Sequence, residues 1–166
     1  MKEHSPNIEP AGAPANGLAG GGGTAASIVR GVTRLLRDLG YEVVDEFPVG
    51  NARRVDVAGL GRDGRFVVVE VKASVADFRA DTKWPEYLAY GDEFYFAVGP
   101  DFPLARLPDG VGIIVADAYE GTVVRAAPRS PMNASRRKAQ TIRFARTAVA
   151  RLGATLDPGV AKGLGR

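Results

Sequence analysis

The stretch Arg53–Ser74, RRVDVAGLGRDGRFVVVEVKAS, decides how this chain is read. Two valine-rich runs flank a glycine-bearing turn. Each carries one acid among its apolar residues, Asp56 in the first and Glu70 in the second, and Lys72 follows two places later. Such runs favour strands, so "RRVDVAGL" and "RFVVVEVKA" are expected to form a hairpin. The joining residues Gly59–Gly64, GLGRDG, match G-x-G-x-x-G, but that dinucleotide fingerprint needs a helix after the turn, so that pyrophosphate meets a helix N-terminus. Here a strand follows, and the glycines serve the turn.

Strand side chains alternate between faces. Val67, Val69 and Val71 then point one way, and Val68, Glu70 and Lys72 the other. On the preceding strand Arg54, Asp56 and Ala58 share one face, Val55 and Val57 the opposite one. With Arg62-Asp63-Gly64 as the loop, Asp56 lies opposite Glu70, and a loop one residue longer or shorter would spoil that register. Two carboxylates so close repel each other unless one holds a proton or a cation sits between them. Mg²⁺ suits two carboxylates plus substrate phosphate and water. It polarises a phosphoryl oxygen and lowers the pKa of a bound water. Lys72 beside it could orient that water or stabilise charge on a pentavalent phosphorus. Asp56, Glu70 and Lys72 are thus a compact set for phosphodiester hydrolysis. The alternative is a Lys72–Glu70 surface ion pair, contributing ~0–1 kcal/mol, with Asp56 merely solvated. The surrounding valines argue for a central hairpin instead.

Composition narrows the remaining chemistry. The chain has 166 residues, 45% apolar and 25% charged, which suits one domain of modest size. It has no cysteine, and its one histidine, His4, lies in a polar leader. Disulfides, thiolate metal sites and cysteine nucleophiles are excluded together, and a zinc site or a Ser-His relay has almost nothing to be built from. No apolar run approaches the ~20 residues of a membrane span, and the N-terminus lacks a signal-peptide pattern; a cytoplasmic location is the expectation. The net charge of +3 is unevenly spread: residues 131–166 carry eight basic side chains and one acidic. A basic helix beside a slightly acidic body suits a polyanion held next to an acidic cluster, or simply a solvated helix face.

Along the chain, residues 1–23, with PAGAPANGLAGGGG, read as a disordered leader. Thr24 is a plausible N-cap for a helix carrying Ile28, Val32, Leu35, Leu36 and Leu39, stopped by Gly40. YEVVDEFPVG is the strand before the hairpin. Ser74 and Asp77 suggest a capped second helix, broken at Trp84-Pro85, with a short new helix to Tyr90. EFYFAV, GVGIIVAD and GTVVRAA are three further strands, the last two turning at Tyr119–Gly121. A basic helix spans about Ser135–Leu152, with Ile142, Ala145, Val149 and Leu152 as an apolar side, and residues 153–166 read as a flexible tail. A meander followed by a helical crossover predicts an α/β domain over 24–152, a mixed sheet flanked by helices.

The stretch RRVDVAGL…RFVVVEVKAS resembles the PD-(D/E)XK nuclease motif, with Asp56 as first acid, Glu70 as second and Lys72 as the lysine. The longer VEVKASVADFRADTKWPEYLAYGDEFYFAV is similar to the MmcB-like DNA repair protein family, and the likeness covers roughly Ile28–Val124. It implies a restriction-endonuclease-like fold and a DNA-repair role with a divalent metal, Mg²⁺ or Mn²⁺, held by Asp56, Glu70 and the carbonyl of Val71. Related nucleases carry Gln-x-x-x-Tyr on the following helix; Glu86 and Tyr90 have that spacing, with glutamate for glutamine. Such nucleases often recruit a further acid, and Glu46 is the candidate auxiliary, with a solvated strand end as its alternative.

For the DNA itself, Lys83 could contact phosphate, while Trp84 reads as a core anchor or a base-stacking residue. Arg136, Arg143 and Arg146 could form a stripe against the backbone, read by charge rather than by sequence. The leading expectation is a metal-dependent deoxyribonuclease acting in repair, with DNA and other repair proteins as partners. The rival is a non-catalytic DNA-binding or partner-docking module on the same fold. An RNA substrate is a third reading.

Overall fold

The computed structural model of the protein describes residues 8–10 and 23–159. Its elements run α1 (Ala25–Asp38), β1 (Glu42–Pro48), β2 (Arg54–Leu60), β3 (Phe66–Lys72), α2 (Val75–Ala80), a 3₁₀ segment (Trp84–Tyr90), β4 (Glu93–Val98), β5 (Gly112–Ala116), β6 (Gly121–Arg125) and α3 (Ala134–Leu156). The six strands form one sheet in chain order. β1, β2 and β3 are antiparallel, β3–β4 and β4–β5 are parallel, and β6 returns antiparallel to β5. This is the expected mixed sheet with helices packed against it.

Local chemistry accounts for the elements. Thr24 caps α1 by accepting from the Ser27 N–H, and Gly40, at φ +81°, takes the left-handed turn that ends it. The hairpin loop is Arg62-Asp63-Gly64: Gly61 donates to the carbonyl of Arg65, and Gly64 supplies a positive φ of 81°. That loop length sets Val57 opposite Val69 and Leu60 opposite Phe66, the predicted register. Ser74 caps α2 by accepting from Asp77, while Asp77 accepts from the Ala73 N–H.

β3 is buried along its whole length, so helices cover both of its faces. On one side α1 lays Ile28, Val32 and Leu36 on Val57, Val67, Val69 and Tyr95, each fully buried aliphatic contributing ~1.5–3 kcal/mol. On the other, the 3₁₀ segment and α3 cover Val68, Phe94 and Phe96, with Phe144 of α3 packing on Phe47 and Phe66. Trp84 stacks on Phe94, ring centroids 5.7 Å apart, which makes it a core anchor; Phe94, Tyr95 and Phe96 are likewise strand packing.

Three expectations need correction. First, strict alternation fails at Glu46 and Asp56. Phe47 and Val55 join the cluster on the α3 side, whereas Val57 stays with α1. Glu46 has φ 45°, and the β1–β2 ladder skips the Glu46–Asp56 pair; both strands turn over there together. Second, the apolar side of α3 does not meet the sheet: Ile142, Val149 and Leu152 are exposed, and the inward face is built from Arg137, Gln140 and Phe144. Arg137 instead ion-pairs with buried Asp92 and donates to the carbonyl of Gly64, tying α3 to the hairpin. Third, α3 continues through Gly153 to Leu156, into the segment read as tail. Residues 160–166 lie outside the described residues. So does most of the leader, but Ile8 within it is buried on the α1 side.

Candidate active site

The β2–β3 ladder ends at Val57–Val69, and side chains take over where backbone pairing stops. The Val71 N–H donates to Asp56 Oδ2 at 2.7 Å, and the Asp56 N–H donates to Glu70 Oε1 at 3.2 Å. The two acids thus meet across the hairpin as the register requires. Each engages one oxygen with a backbone N–H, which fixes its orientation. The carbonyl of Val71 leaves β3 on the same side as its N–H, toward β2 and this junction.

Lys72 shares the Glu70 face and is as buried as Glu70, each 5% exposed. Its Nζ lies 3.9 Å from Glu70 Oε2 but 2.6 Å from Asp81 Oδ2. Asp81 is the C-cap of the six-residue α2, and its other oxygen accepts from the Lys83 N–H. α2 is short enough that the chain turns back and sets this carboxylate over the β3 end.

Burial governs the electrostatics. Glu70 is pushed up to about 8, first by desolvation and then by the charge of Asp56, with Lys72 pulling the other way. Burial also raises Asp56, against the hydrogen bond from Val71. Burial opposes the charge on Lys72, but Asp81 more than offsets it and lifts the ammonium above the ordinary lysine value. Asp81 is correspondingly lowered, its burial outweighed by Lys72.

Glu46, on β1, lies near enough to Asp56 of β2 to add to the charge that raises it, yet its carboxylate pairs with Arg54 at 2.9 Å and both are exposed. The Glu46 turn is held by Arg151 of α3, which donates to the Asp45 and Glu46 carbonyls. Glu86 forms a two-pronged pair with Arg53, N–O distances 2.9 and 3.1 Å. Glu86, with glutamate where related nucleases have glutamine, is thus held by Arg53. In a 3₁₀ turn residues three apart eclipse, so Trp84, Tyr87 and Tyr90 line up instead. Tyr87 is the ring beside the site, its phenol raised by burial and then by Glu70 and Asp81.

The basic residues divide. Arg136 sits over the Tyr90 ring, 5.4 Å from its centroid, and donates to the Ala89 carbonyl. Arg143 lies near Tyr90 too, both bordering Gly50. These two flank the 3₁₀ segment that carries Tyr87. Arg146 is exposed farther along α3, and Lys83 is exposed at the start of the 3₁₀ segment. Asp81, Tyr87, Arg53 and Arg151 were not singled out in the sequence, and no spacing rule there would have found them.

Among the described residues no group of three or more histidine, cysteine or acidic side chains is arranged to hold a metal. The donors at the β3 end are two carboxylates and a carbonyl. They are hard oxygens of the kind Mg²⁺ takes when substrate phosphate and water complete its shell, and a buried and a half-buried acid, both with raised pKa values, are a place where a cation's charge is stabilising. The donor set fits such an ion. Among the described residues no helix is long and apolar enough to cross a membrane.

Comparison with known proteins gives the lineage. A solved structure, the SPO1766 protein of unknown function from Silicibacter pomeroyi, is 42% identical, matches 85% of this chain and 94% of its own, and superposes with a TM-score of 0.79. Among curated proteins none matches. The family profile described as DNA repair protein MmcB-like matches residues 15–159, and the chain belongs to that family.

Proposed function

We propose that the protein hydrolyses DNA phosphodiester bonds during repair, with Mg²⁺ or Mn²⁺ at the β3 end. The observation that carries this reading is the meeting of Asp56 and Glu70 where the Asp56 N–H donates to Glu70 and the Val71 N–H donates to Asp56, with the Lys72 ammonium 3.9 Å from Glu70. Asp56, Glu70 and the Val71 carbonyl would hold the ion. When bound, the ion supplies positive charge at the scissile phosphoryl oxygen and acidifies water.

The chain's own groups do the rest. Lys72, kept charged by Asp81, offers an ammonium to the charge that grows on phosphorus. Lys83, Arg136, Arg143 and Arg146 meet the DNA backbone by charge, without reading bases. Glu46 stands beside Asp56 as an auxiliary acid once Arg54 lets it go.

The test is a cleavage panel of single-stranded, duplex, flapped and branched DNA with Mg²⁺ or Mn²⁺. Asp56→Asn and Lys72→Ala should abolish cutting while circular dichroism stays that of the wild type. A folded Lys72→Ala protein that cuts as fast as wild type refutes the assignment. The second reading, a non-catalytic DNA-binding or docking module, is favoured by the close engagement of Lys72 with Asp81 rather than Glu70. A metal titration separates the two: the nuclease expects a cation site lost in Asp56→Asn, the module expects none.

A further inference from the structure

α3 carries an apolar stripe that the sheet does not use. Ile142, Ala145, Val149, Leu152 and Leu156 recur at steps of three, four, three and four. Ile142, Val149, Leu152 and Leu156 are 52%, 67%, 58% and 77% exposed, and among the described residues nothing covers them. One exposed leucine on a surface is ordinary; four large aliphatics in one line on one helix are a patch.

The steps average three and a half residues, the period of a seam that packs knobs-into-holes against another helix. A helix lying on a bilayer needs a broader apolar face, usually with Trp or Phe, and this stripe is narrow and has an alanine at its second position. The partner is therefore read as a helix.

Charge says which kind. From Ala134 to Leu156, α3 has six cationic side chains and no acid. Arg137 and Arg151 are paired with Asp92 and Asp45, and Arg136 rests on Tyr90. Lys138 remains in line with the stripe at its N-terminal end, and Arg146 beside it. Lys138 precedes Ile142 by four, and Arg146 lies four after Ile142 and three before Val149, the spacings at which helix neighbours touch. A second copy of α3 would bring the same cations and no acid to meet them. Arg136 and Arg143 lie about a third of the way round the helix from the stripe, so a helix on the stripe leaves their flank beside the 3₁₀ segment open and takes only Arg146 from the cations assigned to the DNA backbone.

We infer that this face docks an amphipathic helix of another protein, apolar at the seam and acidic at the flanking positions. The test uses the full chain and a labelled synthetic peptide with Ile and Leu at the seam and Glu at both flanks. The glutamates repel one another and keep the peptide monomeric at neutral pH. A second peptide carries Lys in their place. Fluorescence anisotropy should show saturable binding of the Glu peptide and at least about tenfold weaker binding of the Lys peptide. Leu152→Glu and, separately, Ile142→Ser should each weaken the Glu peptide about tenfold with an unchanged urea midpoint. Equal binding of the two peptides, or full affinity in both stripe variants, overturns the inference. So does a chain that sediments alone as a dimer dissociated by Leu152→Glu, which would give the stripe to a second copy. Binding to phosphatidylserine vesicles lost in the same variant would give it to a membrane and likewise overturn the inference.

Discussion

Replacing Glu70 by glutamine tests the paired acids without reference to any activity. Glu70 is 5% exposed, and its pKa stands at about 8 against an ordinary 4.5, raised by burial and then by Asp56. Between those two values the native state keeps a proton that the unfolded chain has released. Stability from this group is therefore present below about pH 4.5 and declines as pH rises toward about 8. One pKa unit is ~1.36 kcal/mol, so the displacement sets a ceiling of roughly 5 kcal/mol, and the expected loss is about 3 kcal/mol. Glutamine mimics the protonated acid, its Oε1 can still accept the Asp56 N–H, and it does not titrate. Urea unfolding of both proteins from about pH 5 to about pH 8 should show near-equal stability at the acid end and a variant about 3 kcal/mol more stable at the alkaline end. At the alkaline end Mg²⁺ should stabilise the wild type and leave Glu70→Gln unmoved, since only the former offers a second carboxylate. Parallel pH profiles for the two proteins would refute the reasoning, because they would mean that Glu70 ionises as freely folded as unfolded.

Three other perturbations probe the surroundings. Asp81→Asn removes the nearest counter-charge of Lys72, so the Lys72 ammonium should lose its proton at lower pH than in the wild type; nitrogen NMR of the side chain measures this, and Asp81→Glu should restore it. Arg137→Ala leaves buried Asp92 with only its backbone donors and should cost about 3 kcal/mol of stability by urea denaturation, whereas a loss under about 1 kcal/mol would mean the pair is not a tether. Gly31→Ala would set a Cβ 2.3 Å from the Asp117 carbonyl and 2.5 Å from that of Glu120, pushing α1 off the β5–β6 turn; a drop of at least about 2 kcal/mol is expected, and an unchanged melting temperature would contradict the packing.

How far the sequence could be read depended on whether a residue's place is set by its neighbours in the chain. The hairpin register was legible because loop length alone determines it: Gly61 and Gly64 delimit the loop, and Asp56 then meets Glu70. The break in alternation at Glu46 was not, since a glutamate at φ 45° leaves no mark in composition. Tyr87 was passed over for Tyr90 because the spacing was taken from the Gln-x-x-x-Tyr of related nucleases, whereas this segment is a 3₁₀ turn. Asp81 reaches Lys72 through the fold of a short helix, a contact that no pattern nine residues long predicts. α3 misled differently. Its apolar period is plain, but the side that meets the sheet is chosen by Arg137, Gln140 and Phe144, which find Asp92, the Tyr90 carbonyl and the two phenylalanines.

The same feature that opens the site also stabilises it, and this bears on how any loss of function is interpreted. Where the β2–β3 ladder stops, the Val71 and Asp56 N–H groups would otherwise be buried without partners, each costing about 1–3 kcal/mol. The carboxylates of Asp56 and Glu70 accept them instead. Removing either carboxylate therefore removes both a proposed ligand and a backbone acceptor. An alanine at Asp56 confounds the two losses. An asparagine keeps an oxygen for the Val71 N–H and takes away only the charge, and glutamine at Glu70 likewise keeps an acceptor for the Asp56 N–H. The amide variants should fold like the wild type while the alanine at Asp56 unfolds at lower urea, and this difference separates what the acids do for the sheet from what they do for a phosphate.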